Sequence, residues 1–181
     1  MRGWVTALLL LCLPAAGGWA EVFKLPNGSR LELFPVGRWK LAAEDVGEYK
    51  IVLMPADERI NARAIFSLAT EGSDDFPTDE KLLKQMHRVA ERLMETGDFV
   101  ERRPVVKPLY PPQGFGYYAL FTDRKLVGRP SVPGDYKMVA IGMIRLAPAV
   151  MWKFQVMADG EETPEFQQLL GMGEGAVYTP R

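Results

Sequence analysis

The chain is poor in the residues that most often carry chemistry. It has one cysteine and one histidine in 181 residues. It has no apolar run of membrane-crossing length and no excess charge of either sign. Each absence excludes something. The single cysteine, Cys12, lies near the N-terminus inside a stretch that reads as an export signal. The chain that follows therefore has no disulfide, no thiol nucleophile and no cysteine-type zinc site. The single histidine, His87, falls in a helical pattern beside an apolar stripe. It has no Gly-x-Ser-x-Gly elbow to serve and too few companions for a histidine metal site. A helix needs about 20 apolar residues to cross a bilayer, and no segment supplies them. Lysine and arginine total 22 against 23 aspartates and glutamates, which gives no electrostatic case for nucleic acid.

What is present begins with MRGWVTALLLLCLPAAGGWA. Arg2 is followed by an apolar segment from Val5 to Pro14 and then by small residues ending at Ala20. A positive start, a short apolar middle and small residues at the end form a secretory signal. Cleavage is expected between Ala20 and Glu21, leaving residues 21–181 as one domain in the periplasm or outside the cell. Leu11 before Cys12 argues against a lipid-anchoring cysteine.

Hydrophobic periodicity gives the order of elements. Asn27-Gly28 joins two strand-like runs, VFKLP and RLEL, as a hairpin. RWKLAAE, EYKIVLMP and ARAIFSLAT read as an antiparallel meander. The period then changes. Leu82, Leu83, Met86, Val89, Ala90, Leu93 and Met94 recur at spacings of three and four and predict one long helix. Thr78 is expected as its N-cap and Gly97 as its stop. FVERRPVVK, GYYALFTD, YKMVAIGMIR and VMWKFQVMA predict four more strands. YKMVAIGMIR is apolar on both faces and so must be covered on both. TPEFQQLL predicts a short last helix, capped by Thr163, opened by Pro164 and ended by Gly171. The expected architecture is α+β, an antiparallel sheet sandwiched between the long helix and the short one.

GYYALFTD, the connection ending PGDYK, IGMIRL and FQVMADGEETPEF give the chain a resemblance to the PsbP-like fold. That fold is named for an extrinsic photosystem subunit and is shared with a Ran-binding nuclear import factor. The last third is also similar to small exported bacterial proteins of unknown function. The resemblance implies an α/β/α sandwich and a role in binding or assembly. It carries no catalytic residue set and no photosynthetic role.

Tests for chemistry leave little. Met138 and Met143 point to opposite faces of a strand. Met151 and Met157 lie about 20 Å apart at strand rise, and Met86 and Met94 about 12 Å apart along a helix. The methionines therefore read as core rather than as a copper site. Asp74-Asp75 and Glu161-Glu162 precede helices, where acids stabilise the N-terminus. GSDDFPTDE lacks the pattern of a calcium loop, and GMGEG follows a helix instead of opening one.

Two stretches remain. LYPPQGFGYY concentrates Tyr110, Phe115, Tyr117 and Tyr118 among prolines and glycines. DRKLVGRPSVPGDYK is a long polar connection between strands. The expected partner surface comprises Arg124, Lys125, Arg129, Asp135, Tyr136, Tyr117 and Tyr118. No catalytic, metal or cofactor residue is expected. The functional expectation is an exported, non-catalytic binding or assembly protein of the bacterial envelope with a protein partner. A small-molecule carrier, or a hydrolase using carboxylate or tyrosine chemistry, is the alternative.

Overall fold

A computed structural model describes residues 20–25, 27–35, 39–46, 48–69 and 76–181. The apolar opening stretch with Cys12, and Asp74-Asp75, lie outside the described residues. The fold is α+β. Seven antiparallel strands form the main sheet in the order β3-β4-β5-β9-β8-β7-β6. They are β3 (Trp39–Val46), β4 (Glu48–Pro55), β5 (Ala62–Ala69), β6 (Val106–Leu109), β7 (Phe115–Thr122), β8 (Met138–Ala147) and β9 (Val150–Ala158). A smaller sheet orders β1 (Glu21–Lys24), β2 (Arg30–Leu33) and β10 (Val177–Thr179) as β1-β2-β10. Helix α1 spans Asp79–Glu95, and α2 spans Pro164–Glu174.

The two faces of the main sheet are buried by different elements. Alternate residues of β5 (Ala64, Phe66, Leu68) and β9 (Trp152, Phe154, Val156) pack with Phe166 and Leu169 of α2. Leu31 and Leu33 of the small sheet join the same core. On the opposite face Leu82, Met86 and Ala90 of α1 pack on Ala119 and Phe121 of β7, and on Met143 of β8. Strand β8 feeds both layers. Ala140 and Ile144 face α2, while Met143 and Ile141 face α1. Its two apolar faces have the cause the pattern predicts. No helix among the described residues is long and apolar enough to cross a membrane.

Local chemistry sets the element ends. Thr78 caps α1, its hydroxyl oxygen accepting from Lys81 N–H at 3.3 Å. Gly97 follows the helix at φ +75°. His87 lies on the exposed side of α1. Among the described residues of the first hairpin, only Gly28 takes positive φ. Its N–H donates to Leu25 O at 2.9 Å, and Leu25 N–H donates to Ser29 O at 2.9 Å, so the turn is not a two-residue Asn-Gly turn.

Three boundaries differ from the pattern-based expectation. FVERRPVVK is not one strand. Phe99 makes an isolated bridge to Asp123, and the ladder starts only at Val106. Pro104 has no N–H to donate, and the Glu101 carboxylate turns inward to accept Thr122 N–H at 3.0 Å. Helix α2 runs past Gly171 to Glu174, because Met172 and Gly173 are buried against the sheet. Strand β10 was not expected. It is three residues long and forms only because β2 offers it an edge.

Candidate functional site

The long connection after β7 is held down at both ends. Asp123 N–H donates to Lys137 O at 2.9 Å. The Asp123 carboxylate caps a 3-10 turn, Arg124–Leu126, by accepting Lys125 N–H at 2.7 Å. The Arg124 guanidinium donates to Phe99 O from Nε at 3.1 Å and from Nη2. Lys125 Nζ lies 3.1 Å from Asp98 Oδ1, and this contact draws the Asp98 carboxyl below its ordinary range. Further along, Asn61 acts as a clamp. Its Nδ2 donates to Asp135 O at 3.0 Å and to Asp159 Oδ1 at 2.8 Å, while its Oδ1 accepts Gly134 N–H at 2.9 Å. Arg124 and Lys125 therefore anchor the loop to the chain after α1. The Arg129 side chain is exposed, and Tyr136 is half-buried where the loop re-enters β8.

Tyr117 and Tyr118 do not join these residues. They are consecutive on β7, so their side chains leave opposite faces of the sheet. Tyr118 is buried in the α2-side core, with Lys107 Nζ 5.8 Å from its ring centroid. Lys107 in turn pairs with Glu161 at 2.6 Å. Burial is the main reason the Tyr118 hydroxyl titrates above its ordinary value. Tyr117 faces α1. Its hydroxyl is also pushed up, first by burial and then by a hydrogen bond with the Asp79 carboxylate. The seven expected residues thus divide into a loop at the Thr122 end of β7 and two tyrosines nearer its start.

At that starting end lies a groove of about 350 Å³ lined by Asp79, Pro108, Tyr110, Pro111, Phe115 and Tyr117, among others. Three elements place these groups. Asp79 is the first residue of α1, Pro108 belongs to edge strand β6, and Phe115 and Tyr117 share one face of β7. Tyr110 is 81% exposed, the most exposed large apolar side chain among the described residues. The loop that shows it is nevertheless fixed. Tyr110 N–H donates to the Glu174 carboxylate of α2, and Gln113 Oε1 accepts Tyr178 N–H of β10 at 2.8 Å. Gly114 sits at φ +73°, where a Cβ would fall 1.7 Å from Arg145 O. Proline fixes φ at two further positions, 111 and 112. A side chain displayed on a preordered loop loses little entropy when it is covered.

Tyr110, Asp79 and Phe115 were absent from the expected site. The signal for Tyr110 and Phe115 was in LYPPQGFGYY, where rings alternate with residues that stiffen a turn. Asp79 had no such signal, because an acid at a helix start is already explained by the helix.

One other surface feature is more open. A charged depression between α1 and residues 101–104 is lined by Glu91, Glu95, Glu101, Arg102, Arg103 and Arg124. Among the described residues, no group of three or more histidine, cysteine, aspartate or glutamate side chains could hold a metal ion.

Among solved structures, the chain is similar to LpqN of Mycobacterium tuberculosis, described as involved in cell envelope biogenesis. The TM-score is 0.47 at 12% sequence identity, covering 90% of this chain and 91% of that one. No family model matches the sequence, and no curated protein matches it.

Proposed function

We propose that this chain is an exported, non-catalytic binding or assembly protein of the bacterial cell envelope, with the tyrosine-proline groove as its main partner surface. The observation that carries the reading is Tyr110, 81% exposed on a loop fixed by Glu174, Gln113 and two prolines. Exposed apolar groups on mobile loops are common. One on a clamped loop, beside the half-buried rings of Phe115 and Tyr117, is a surface prepared for contact. In this reading the first 20 residues direct export and are removed near Ala20, and the mature chain works in the periplasm or outside the cell. The exposed Arg129 region of the Arg124–Tyr136 loop gives a second contact at the far end of β7. The resemblance to PsbP-like proteins belongs to the same proposal.

The test is site-specific photo-crosslinking in living cells. A benzophenone side chain is placed at Tyr110, at Arg129 and, as a control, at His87 on the exposed side of α1. A defined adduct from position 110 that is absent from position 87 is expected. Tyr117→Phe with Phe115→Ala should abolish it. Identical adducts from all three positions would remove the groove from consideration.

A further inference from the structure

Given that the groove is the partner surface, we infer that the group it takes is a cation, a Lys or Arg side chain on a basic peptide segment of the partner. The lining has a one-sided charge. Among the described residues, its only charged side chain is the Asp79 carboxylate. Glu174, which accepts the Tyr110 N–H, does not line the groove. Arg145 stands beside Phe115 in the β7–β8 register but does not line the groove.

The remaining lining is uncharged: the rings of Tyr110, Phe115 and Tyr117, two prolines, Leu109 and two glycines. Aromatic faces carry the negative part of the ring quadrupole, and a cation held within about 6 Å of a ring centroid is attracted to it. Tyr110, Phe115 and Tyr117 supply three such rings around one carboxylate. Asp79 is placed by the first turn of α1, beside Tyr117 in the groove lining. An anionic ligand would meet no positive side chain here. A proline ring would cover the aromatic faces but offer the Asp79 carboxylate neither a donor nor an opposite charge. A guanidinium or ammonium group satisfies both the rings and the acid.

Amide chemical shifts of the exported full-length chain provide the test. They are followed while the peptides acetyl-Gly-Arg-Gly-amide and acetyl-Gly-Gln-Gly-amide are added, with N-acetylglucosamine as a neutral sugar probe. The arginine peptide should shift the amides of Tyr110, Gly114, Gly116 and Tyr117, and the glutamine peptide should not. Asp79→Asn and Tyr110→Ala should each weaken the arginine peptide about fivefold. High salt should weaken it as well. Both variants alter exposed side chains, and unchanged shifts elsewhere will report that they fold. Equal shifts with the glutamine peptide, or shifts with the sugar alone, would overturn the cation while leaving the groove as a binding site. No shift with any probe would also overturn it. The crosslinks at position 110 would then decide separately whether the groove is a partner surface.

Discussion

Trp152 of β9 donates its indole N–H to the carbonyl oxygen of Gly173 in α2, 3.0 Å away. Both residues are buried. The bond ties the last turn of α2 to the middle strand of the main sheet. Phe66 of β5 stacks on the indole with ring centroids 5.2 Å apart and planes 9° from parallel. A Cβ on Gly173 would lie 2.9 Å from Phe66 Cε1. The helix approaches the sheet this closely because position 173 has no side chain.

Two substitutions test this junction. Trp152→Phe leaves the Gly173 carbonyl buried without its donor and should cost about 1–3 kcal/mol. Gly173→Ala gains about 1 kcal/mol of helix propensity but must displace a ring that is itself packed, which costs about 1–3 kcal/mol. A net loss is expected from both in urea unfolding, seen as lower midpoints with unchanged slopes. A stabilised Gly173→Ala would mean that the Phe66 ring has room to move.

The same junction shows where the sequence was legible and where it was not. Helix α1 could be read because Leu82, Met86 and Ala90 repeat at its period, Thr78 carries its cap signal in its hydroxyl, and Gly97 carries its stop signal in having no Cβ. The two covered faces of β8 could be read from its unbroken apolar run. Helix α2 was misjudged at Gly171, which has open space around it and is neither a stop nor a close-contact glycine; the helix continues because Met172 and Gly173 beyond it are buried. Gly173 is the close-contact glycine, and only Phe66 across the interface shows it. The site was legible in part for a similar reason. LYPPQGFGYY declared a stiff aromatic turn, but Asp79 reaches it from far along the chain through the packing of α1 on β7. The charged loop attracted attention by its length, yet Arg124 and Lys125 face its own anchors.

Gly114 should be among the least tolerant positions near the groove. Its φ of +73° is unfavourable for any residue with a Cβ, and that Cβ would strike the backbone oxygen of Arg145 at 1.7 Å. A backbone atom cannot turn aside as a side chain can. Gly114→Ala should cost about 3 kcal/mol or more. It should also weaken any ligand of the groove, because the Tyr110–Gly114 loop must shift. Pro112→Ala is the comparison, with a loss of about 1 kcal/mol or less. Equal midpoints for the two variants in urea would contradict the close approach.

Asn61 should control the order of the loop after β7. One side chain bridges Gly134, Asp135 and Asp159 with three hydrogen bonds. Asn61→Ala removes all three and should raise amide exchange at Gly134 roughly tenfold. Exchange in β9 should change far less. Asn61→Asp keeps an acceptor for Gly134 but sets a carboxylate against that of Asp159. It should therefore loosen the loop more at neutral pH than in acid. Exchange at Gly134 that ignores both substitutions would show that the clamp is not what orders the loop.

Lys107 gives the pH test. Its ammonium is held by Glu161 at 2.6 Å and lies over the Tyr118 ring, and the hydrogen bond with Glu161 raises its pKa above the ordinary lysine value. A group that binds its proton more tightly in the folded state stabilises that state while the proton is bound. The contribution is therefore full below about pH 10, the ordinary lysine pKa, and is lost as pH rises through the higher folded value. Lys107 and Glu161 side chains are 38% and 30% exposed, so solvent screens the pair and the effect should be no more than about 1 kcal/mol. Lys107→Met should lower the urea midpoint at pH 7 by that modest amount. The gap between the two proteins should narrow above about pH 11 and in 1 M salt. A gap that is constant in both pH and salt would assign the role of Lys107 to the packing of its aliphatic stem on Tyr118 and not to its charge.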